Sequence, residues 1–145
     1  MLRQLSLFLE NRPGQLRAPC EALARAGVDI LTMSLADTDR FGILRLVVRD
    51  WERGQRALED AGMVVNVSEV VPIEVDDRPG GLAAVLAALE EAQVGVDYMY
   101  PFVAGPRAGK AAIVFRFDDP PRALAAVQAR GLRVLDEGEL LAKKM

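Results

Sequence analysis

The segment Asn-Arg-Pro-Gly-Gln-Leu at Asn11 to Leu16 returns as Asp-Arg-Pro-Gly-Gly-Leu at Asp77 to Leu82, 66 positions later in a chain of 145 residues. A chain that repeats itself over such a distance builds one structural unit twice, so any fold assigned to it must be made of two like halves. The register holds beyond the loop, where Ala18, Ala22, Leu23, Ala26, Val28 and Met33 meet Ala84, Ala88, Leu89, Ala92, Val94 and Met99. After the turn Ala104 to Gly109, three residues longer than its counterpart, the displacement becomes 69, and Asp50, Arg53 and Gly62 meet Asp119, Arg122 and Gly131. Hairpin tips are where insertions are tolerated. The halves are residues 1–70 and 71–145.

Each half changes its hydrophobic period in the same order. Leu5, Leu7 and Leu9 alternate as in a strand, then Leu16, Cys20 and Leu23 recur at helical spacing up to Gly27. Two apolar runs, Val28 to Ala36 and Phe41 to Val48, flank the polar turn Asp-Thr-Asp-Arg and predict a hairpin. A helix over Trp51 to Ala61 and a strand within Met63 to Val70 complete a βαββαβ order. The second half predicts strand Val71 to Val75, helix Gly81 to Ala92, hairpin Val96 to Phe117, helix Pro121 to Arg130 and strand Leu132 to Leu135. This is an α+β, ferredoxin-like arrangement in two tandem units. Units of this size are marginal alone and have open sheet edges. Joined side by side, they are expected to form an eight-stranded antiparallel sheet with four helices on one face. The other face, which displays Phe8, is expected to pack on a second chain as a homodimer. Two local expectations follow: Pro19 predicts that the first helix begins late or kinks, and Gln93 in place of Gly27, with glycine displaced to Gly95, predicts a different helix exit in the second half.

Composition removes much chemistry. There is no histidine and only one cysteine, Cys20, which excludes His-ligated metals, an internal disulfide, and Cys-His or Ser-His-Asp catalysis. Cys20 reads as a core residue of a helix face. No cofactor, metal or catalytic residue is expected. Eighteen basic against 21 acidic residues give a net charge of −3, which disfavours nucleic acid and anionic membranes as partners. The first ten residues alternate and carry Arg3 and Glu10, unlike the apolar block of an export signal. The apolar stretch Pro79 to Leu89 is far shorter than the roughly 20 residues that cross a bilayer. A cytoplasmic location is the expectation.

The twice-occurring loop, Asn or Asp before Arg-Pro-Gly and then Leu, inside a βαββαβ unit and followed by Ala26 to Ile30 or Ala92 to Val96, resembles the ACT domain, a small-molecule-binding regulatory module of amino-acid metabolism. The whole chain is similar to stand-alone tandem ACT proteins, which carry no catalytic domain. The loop chemistry suits that role on its own terms: proline pre-sets a turn, glycine permits its bend, and the next helix presents free N–H groups to a carboxylate. The resemblance implies ligands held between paired domains, by this loop of one and the start of the second strand of the other. One implied pocket joins Asn11, Arg12, Pro13, Gly14, Gln15 and Leu16 with Gly95, Val96, Asp97 and Tyr98. The other joins Asp77, Arg78, Pro79, Gly80, Gly81 and Leu82 with Asp29, Ile30, Leu31 and Thr32. Neutral Asn11 faces either end of a zwitterion, whereas Asp76-Asp77 opposes a carboxylate, so the first pocket is the expected seat.

The function expected is therefore non-catalytic regulation or sensing, with a free amino acid or similar small metabolite as ligand and an enzyme or regulator as partner. A ligand-free scaffold or partner-binding subunit is the alternative, and a small ferredoxin-like enzyme a more remote one. An RNA-binding module would need exposed aromatics on central strands, for which Phe115 and Phe117 are the candidates.

Overall fold

The computed structural model describes residues 1–102 and 107–142; the first half of the inserted turn, 104–106, and the last residues, which include Lys143 and Lys144, lie outside them. The chain divides into two compact units, Arg3–Ser68 and Met1–Leu2 with Glu69–Met145. The N-terminal unit contains β1 (Leu2–Glu10), α1 (Arg17–Arg25), β2 (Ile30–Thr38), β3 (Phe41–Val48) and α2 (Trp51–Asp60), followed by the start of β4 (Asn66–Asp76). The C-terminal unit continues β4 and adds α3 (Gly81–Glu91), β5 (Val96–Pro101), β6 (Lys110–Phe117), α4 (Pro120–Ala129) and α5 (Glu137–Ala142). Strand order is β2-β3-β1-β4 in the first and β4-β6-β5 in the second. The β1–β3, β2–β3, β4–β6 and β5–β6 pairs are antiparallel.

The duplicated pattern becomes two equivalent cores. Leu5, Leu7, Leu23, Val28, Leu46, Val48 and Leu58 close the first. Their counterparts Val71, Ile73, Leu89, Val94, Phe115, Phe117 and Val127 close the second. Each such side chain removed from water contributes about 1.5–3 kcal/mol, so the period-two and period-3.6 spacings decide which face turns inward. Helix starts are duplicated too. Asp50 accepts from the Arg53 N–H and Asp119 from the Arg122 N–H, both at 3.3 Å.

Among the described residues there are six strands and five helices, against the eight strands and four helices expected. One difference is that the last strand of the first half and the first of the second are a single strand, β4. The other is Leu132 to Leu135, which forms only an isolated antiparallel bridge, Val134 opposite Ile73. Glu74 N–H donates to the Arg133 carbonyl and Leu135 N–H to the Pro72 carbonyl, each at 2.9 Å. The returning bond would need an N–H on residue 72, and proline has none, so the ladder stops. The chain then turns into α5, whose Leu140 is buried.

The remaining local expectations divide. Helix α1 does begin late, at Arg17, which puts buried Pro19 in its first turn, where no backbone N–H is required. The expected change of helix exit does not occur. Gln93 takes a left-handed conformation, φ +57°, beside φ +70° at Gly27. Val28 N–H donates to the Leu23 carbonyl at 2.9 Å and Val94 N–H to the Leu89 carbonyl at 3.0 Å, so both helices end alike. Phe115 and Phe117 stack on each other inside the core with ring centroids 5.3 Å apart, and offer no surface to a nucleobase. Among the described residues no helix is long and apolar enough to cross a membrane.

Candidate functional site

The repeated loops share three backbone bonds, although α3 begins at Gly81 and α1 only at Arg17. In the first, Gln15 N–H donates to the Arg12 carbonyl at 3.3 Å, closing a four-residue turn with Pro13 and then Gly14 at φ +89°. In the second, Gly81 N–H donates to the Arg78 carbonyl at 3.0 Å around Pro79 and Gly80 at φ +88°. Proline followed by a positive-φ glycine is the requirement of a type II turn. The next bond opens the helix, from Ala18 N–H to the Gly14 carbonyl at 3.2 Å and from Ala84 N–H to the Gly80 carbonyl at 3.1 Å. Each loop is also pinned to the hairpin tip of its own unit. Asn11 N–H donates to the Arg40 carbonyl at 2.9 Å, and Asp77 N–H to the Gly109 carbonyl at 3.0 Å.

The side chains then part company. Beside the first loop lies a cavity of about 310 Å³ walled by Glu10, Asn11, Arg12, Leu16, Leu35 and Asp37. The Arg12 guanidinium meets Glu10 at 3.0 Å, and the Asn11 amide donates to the Asp39 carbonyl at 3.4 Å. Gln15 faces a second, more apolar hollow of about 380 Å³ with Phe8, Ala18, Met63 and Val64. The C-terminal loop is instead tied into ion pairs. Asp76 bonds Arg78 at 3.1 Å and Lys110 as well. Behind it, Glu74, only 6% exposed, takes Arg107 at 2.8 Å and Arg133 at 3.3 Å, and Arg133 reaches on to Glu139 of α5.

These pairs set the local acidities. Hydrogen bonding from Arg107, with the nearby charges of Arg107, Arg133 and Lys110, holds the Glu74 carboxyl below its ordinary value against the opposing effect of burial. Lys110 and then Arg78 lower Asp76 in the same way. Glu74 in turn raises Arg107. Among the described residues no three His, Cys, Asp or Glu side chains converge on a metal-sized site, and none of the buried side-chain polar atoms lacks a partner.

The expected second-strand positions are equally regular. Ile30, Leu31 and Thr32 open β2 through a register shift, as Val96, Asp97 and Tyr98 open β5. Arg49 N–H donates to the Asp29 carbonyl at 2.9 Å and Asp118 N–H to the Gly95 carbonyl at 3.1 Å. Within a unit the loop and these positions stand at opposite ends of the sheet, since Glu10 pairs with Phe41 at one end of β3 and Ile30 with Val48 at the other. The cavity residues Glu10, Leu35 and Asp37 were not among the candidates. Their signal is the two-residue hairpin of Asp39 and Arg40, which places the ends of β1 and β2 on either side of Phe41 and Gly42.

The model of the ACT domain pair matches residues 1–144. The chain belongs to the ACT domain pair family. Protein BT0572 from Bacteroides thetaiotaomicron is similar over almost its entire length, with 32% identity, 96% of this chain and 94% of that one covered, and a TM-score of 0.88. The ACT fold is also shared with the ligand-free regulatory subunit of aspartate kinase from Thermus thermophilus, at 14% identity and a TM-score of 0.64 over 88% of this chain and 90% of that one. Aspartate kinase from Synechocystis matches at 20% identity and a TM-score of 0.60, over 92% of this ACT pair and 26% of that longer chain. No protein of curated function matches this sequence.

Proposed function

We propose that this ACT domain pair is a non-catalytic regulatory or sensor protein that binds a free amino acid at paired ACT domains. The observation that carries the reading is the loop built twice, with a type II turn delivering a left-handed glycine to the start of a helix. The N–H groups of the helix start that follows each turn suit a ligand carboxylate. Of the two loops, Asn11 to Leu16 is the seat, because a cavity adjoins it, whereas Asp76 beside the other already holds Arg78 and Lys110. Binding that favours one packing of paired domains shifts its population, and a separate enzyme or regulator reads the shift, as the aspartate kinase regulatory subunits suggest by analogy of fold. The homodimer belongs to the same reading: Phe8 stands 68% exposed on β1. So does a cytoplasmic site of action, where free amino acids are available.

The test is a thermal-shift screen of the full chain against the twenty amino acids at millimolar concentration, repeated with Gly14→Asp. A ligand at a hundred times its dissociation constant stabilises the native state by about 2.7 kcal/mol. The expected result is a selective rise in melting temperature that the substitution abolishes. No rise with any amino acid would refute the proposal and favour a scaffold.

A further inference from the structure

The cavity beside Asn11 to Leu16 is walled entirely by the N-terminal unit. At about 310 Å³ it stands at the small end of ligand sites, matched to a metabolite of amino-acid size rather than a nucleotide. Its charges do not cancel. Glu10 and Arg12 pair at 3.0 Å, and Asp37 of β2 has no hydrogen bond or ion pair among the described residues, so the wall carries one uncompensated negative charge. Leu16 and Leu35, 39% and 53% exposed, add apolar surface next to these charges.

The other half of the chain shows what a closed version looks like. Asp76 stands at the position of Glu10, Arg78 at that of Arg12, and Lys110 at that of Phe41. Lys110 and Arg78 both bond Asp76, so the carboxylate there is satisfied internally. Phe41 brings no charge to the first half, where Glu10 has Arg12 as its partner and the second carboxylate of the cavity wall, Asp37, faces no cation equivalent to Lys110. The loop and hairpin that frame the cavity are tied by the bonds from Asn11 to Arg40 and Asp39, which sets its span before a ligand arrives.

We propose that Asp37, on the unit's own β2–β3 hairpin, is the ammonium-recognising residue of the amino-acid seat, with Arg12 meeting the carboxylate and Leu16 and Leu35 an aliphatic side chain. The proposal rests on the reading that the Asn11 to Leu16 loop holds an amino acid. Charge-assisted pairs of this kind are the strong ones, and neutralising one partner costs at least about tenfold in affinity.

The probes are L-leucine and 4-methylpentanoate, the same carbon skeleton without the ammonium group, titrated calorimetrically into the full chain. Asp37→Asn is expected to weaken L-leucine about tenfold or more and to leave 4-methylpentanoate, already weak, unchanged. Asp39→Asn, two positions along the chain from Asp37 and outside the cavity wall, is expected to leave both unchanged. Melting temperatures of the two variants without ligand establish that both are folded. Equal binding of L-leucine by wild type and Asp37→Asn, or binding of 4-methylpentanoate as tight as that of L-leucine, would overturn the role of Asp37 while the loop reading stands. Absence of any L-leucine binding would overturn the aliphatic seat, and only failure of all twenty amino acids in the thermal screen would overturn the loop reading with it.

Discussion

Gly81 has no positive φ, yet its substitution is expected to be the most damaging in either loop. An added Cβ would lie 1.9 Å from the Asp76 carbonyl oxygen and 3.2 Å from the Asp76 Cβ. Ordinary contact begins near 3.4 Å, so the end of β4 or the first turn of α3 must move by more than an ångström. The obstacle is backbone, and Asp76 is held in register opposite Lys110, so no rotamer change relieves it. Overpacking costs about 1–3 kcal/mol, and the upper end applies where a main-chain atom is struck. Withdrawing the helix start instead would break the 3.0 Å bond from Gly81 to Arg78, at about 1 kcal/mol. Gly81→Ala is thus expected to lose about 3 kcal/mol, less whatever alanine's better helix propensity, at most about 1 kcal/mol, returns. Gly80 is the control. It has φ +88° and nothing within 4 Å of an added Cβ, so Gly80→Ala carries only the left-handed penalty of about 1–2 kcal/mol. Urea unfolding followed by far-ultraviolet circular dichroism measures both. The reasoning is refuted if Gly81→Ala proves no more destabilising than Gly80→Ala.

Two further substitutions probe features described above. Glu74→Gln is expected to destabilise by about 1–2 kcal/mol at neutral pH, because Arg107 and Arg133 lose their charged acceptor. The folded-state acidity of Glu74 is shifted down from 4.5, so its stabilisation is complete above that value and disappears as pH falls through the lowered one. Urea midpoints of wild type and variant should therefore converge in acid, and a gap independent of pH would count against the ion pair. Gln93→Gly is expected to stabilise by up to about 1 kcal/mol by relieving a left-handed side chain at the end of α3, which differential scanning calorimetry can resolve; a lower melting temperature would contradict the shared helix exit.

How much of this was visible in the sequence depended on the range of the interaction concerned. The strands and helices of each half followed from local alternation, as at Leu5, Leu7 and Leu9, and the repeat checked each assignment against a second copy. The failure of Leu132 to Leu135 to become a strand depended on an amide missing across the sheet, at Pro72, which no local pattern records. Helix α5 was missed although its start was signalled: Asp136 accepts from the Glu139 N–H at 2.7 Å and Glu139 from the Asp136 N–H at 3.4 Å, a reciprocal cap. The loops were read from Arg-Pro-Gly alone. Their different surroundings were not, because Lys110 and Asp37 reach them through strand register rather than proximity in the chain.

The interrupted ladder at Pro72 has a further consequence for the protein's behaviour in solution. A row of free amides and carbonyls on a sheet margin is a template on which other chains can add. Here that margin carries a residue unable to donate, and the segment Leu132 to Leu135 occupies the Pro72 carbonyl and the Glu74 N–H. Restoring a donor there would extend one strand within the molecule and would equally offer a sticky border to its neighbours. The same proline that shortens the ladder leaves that margin one donor short of such a template.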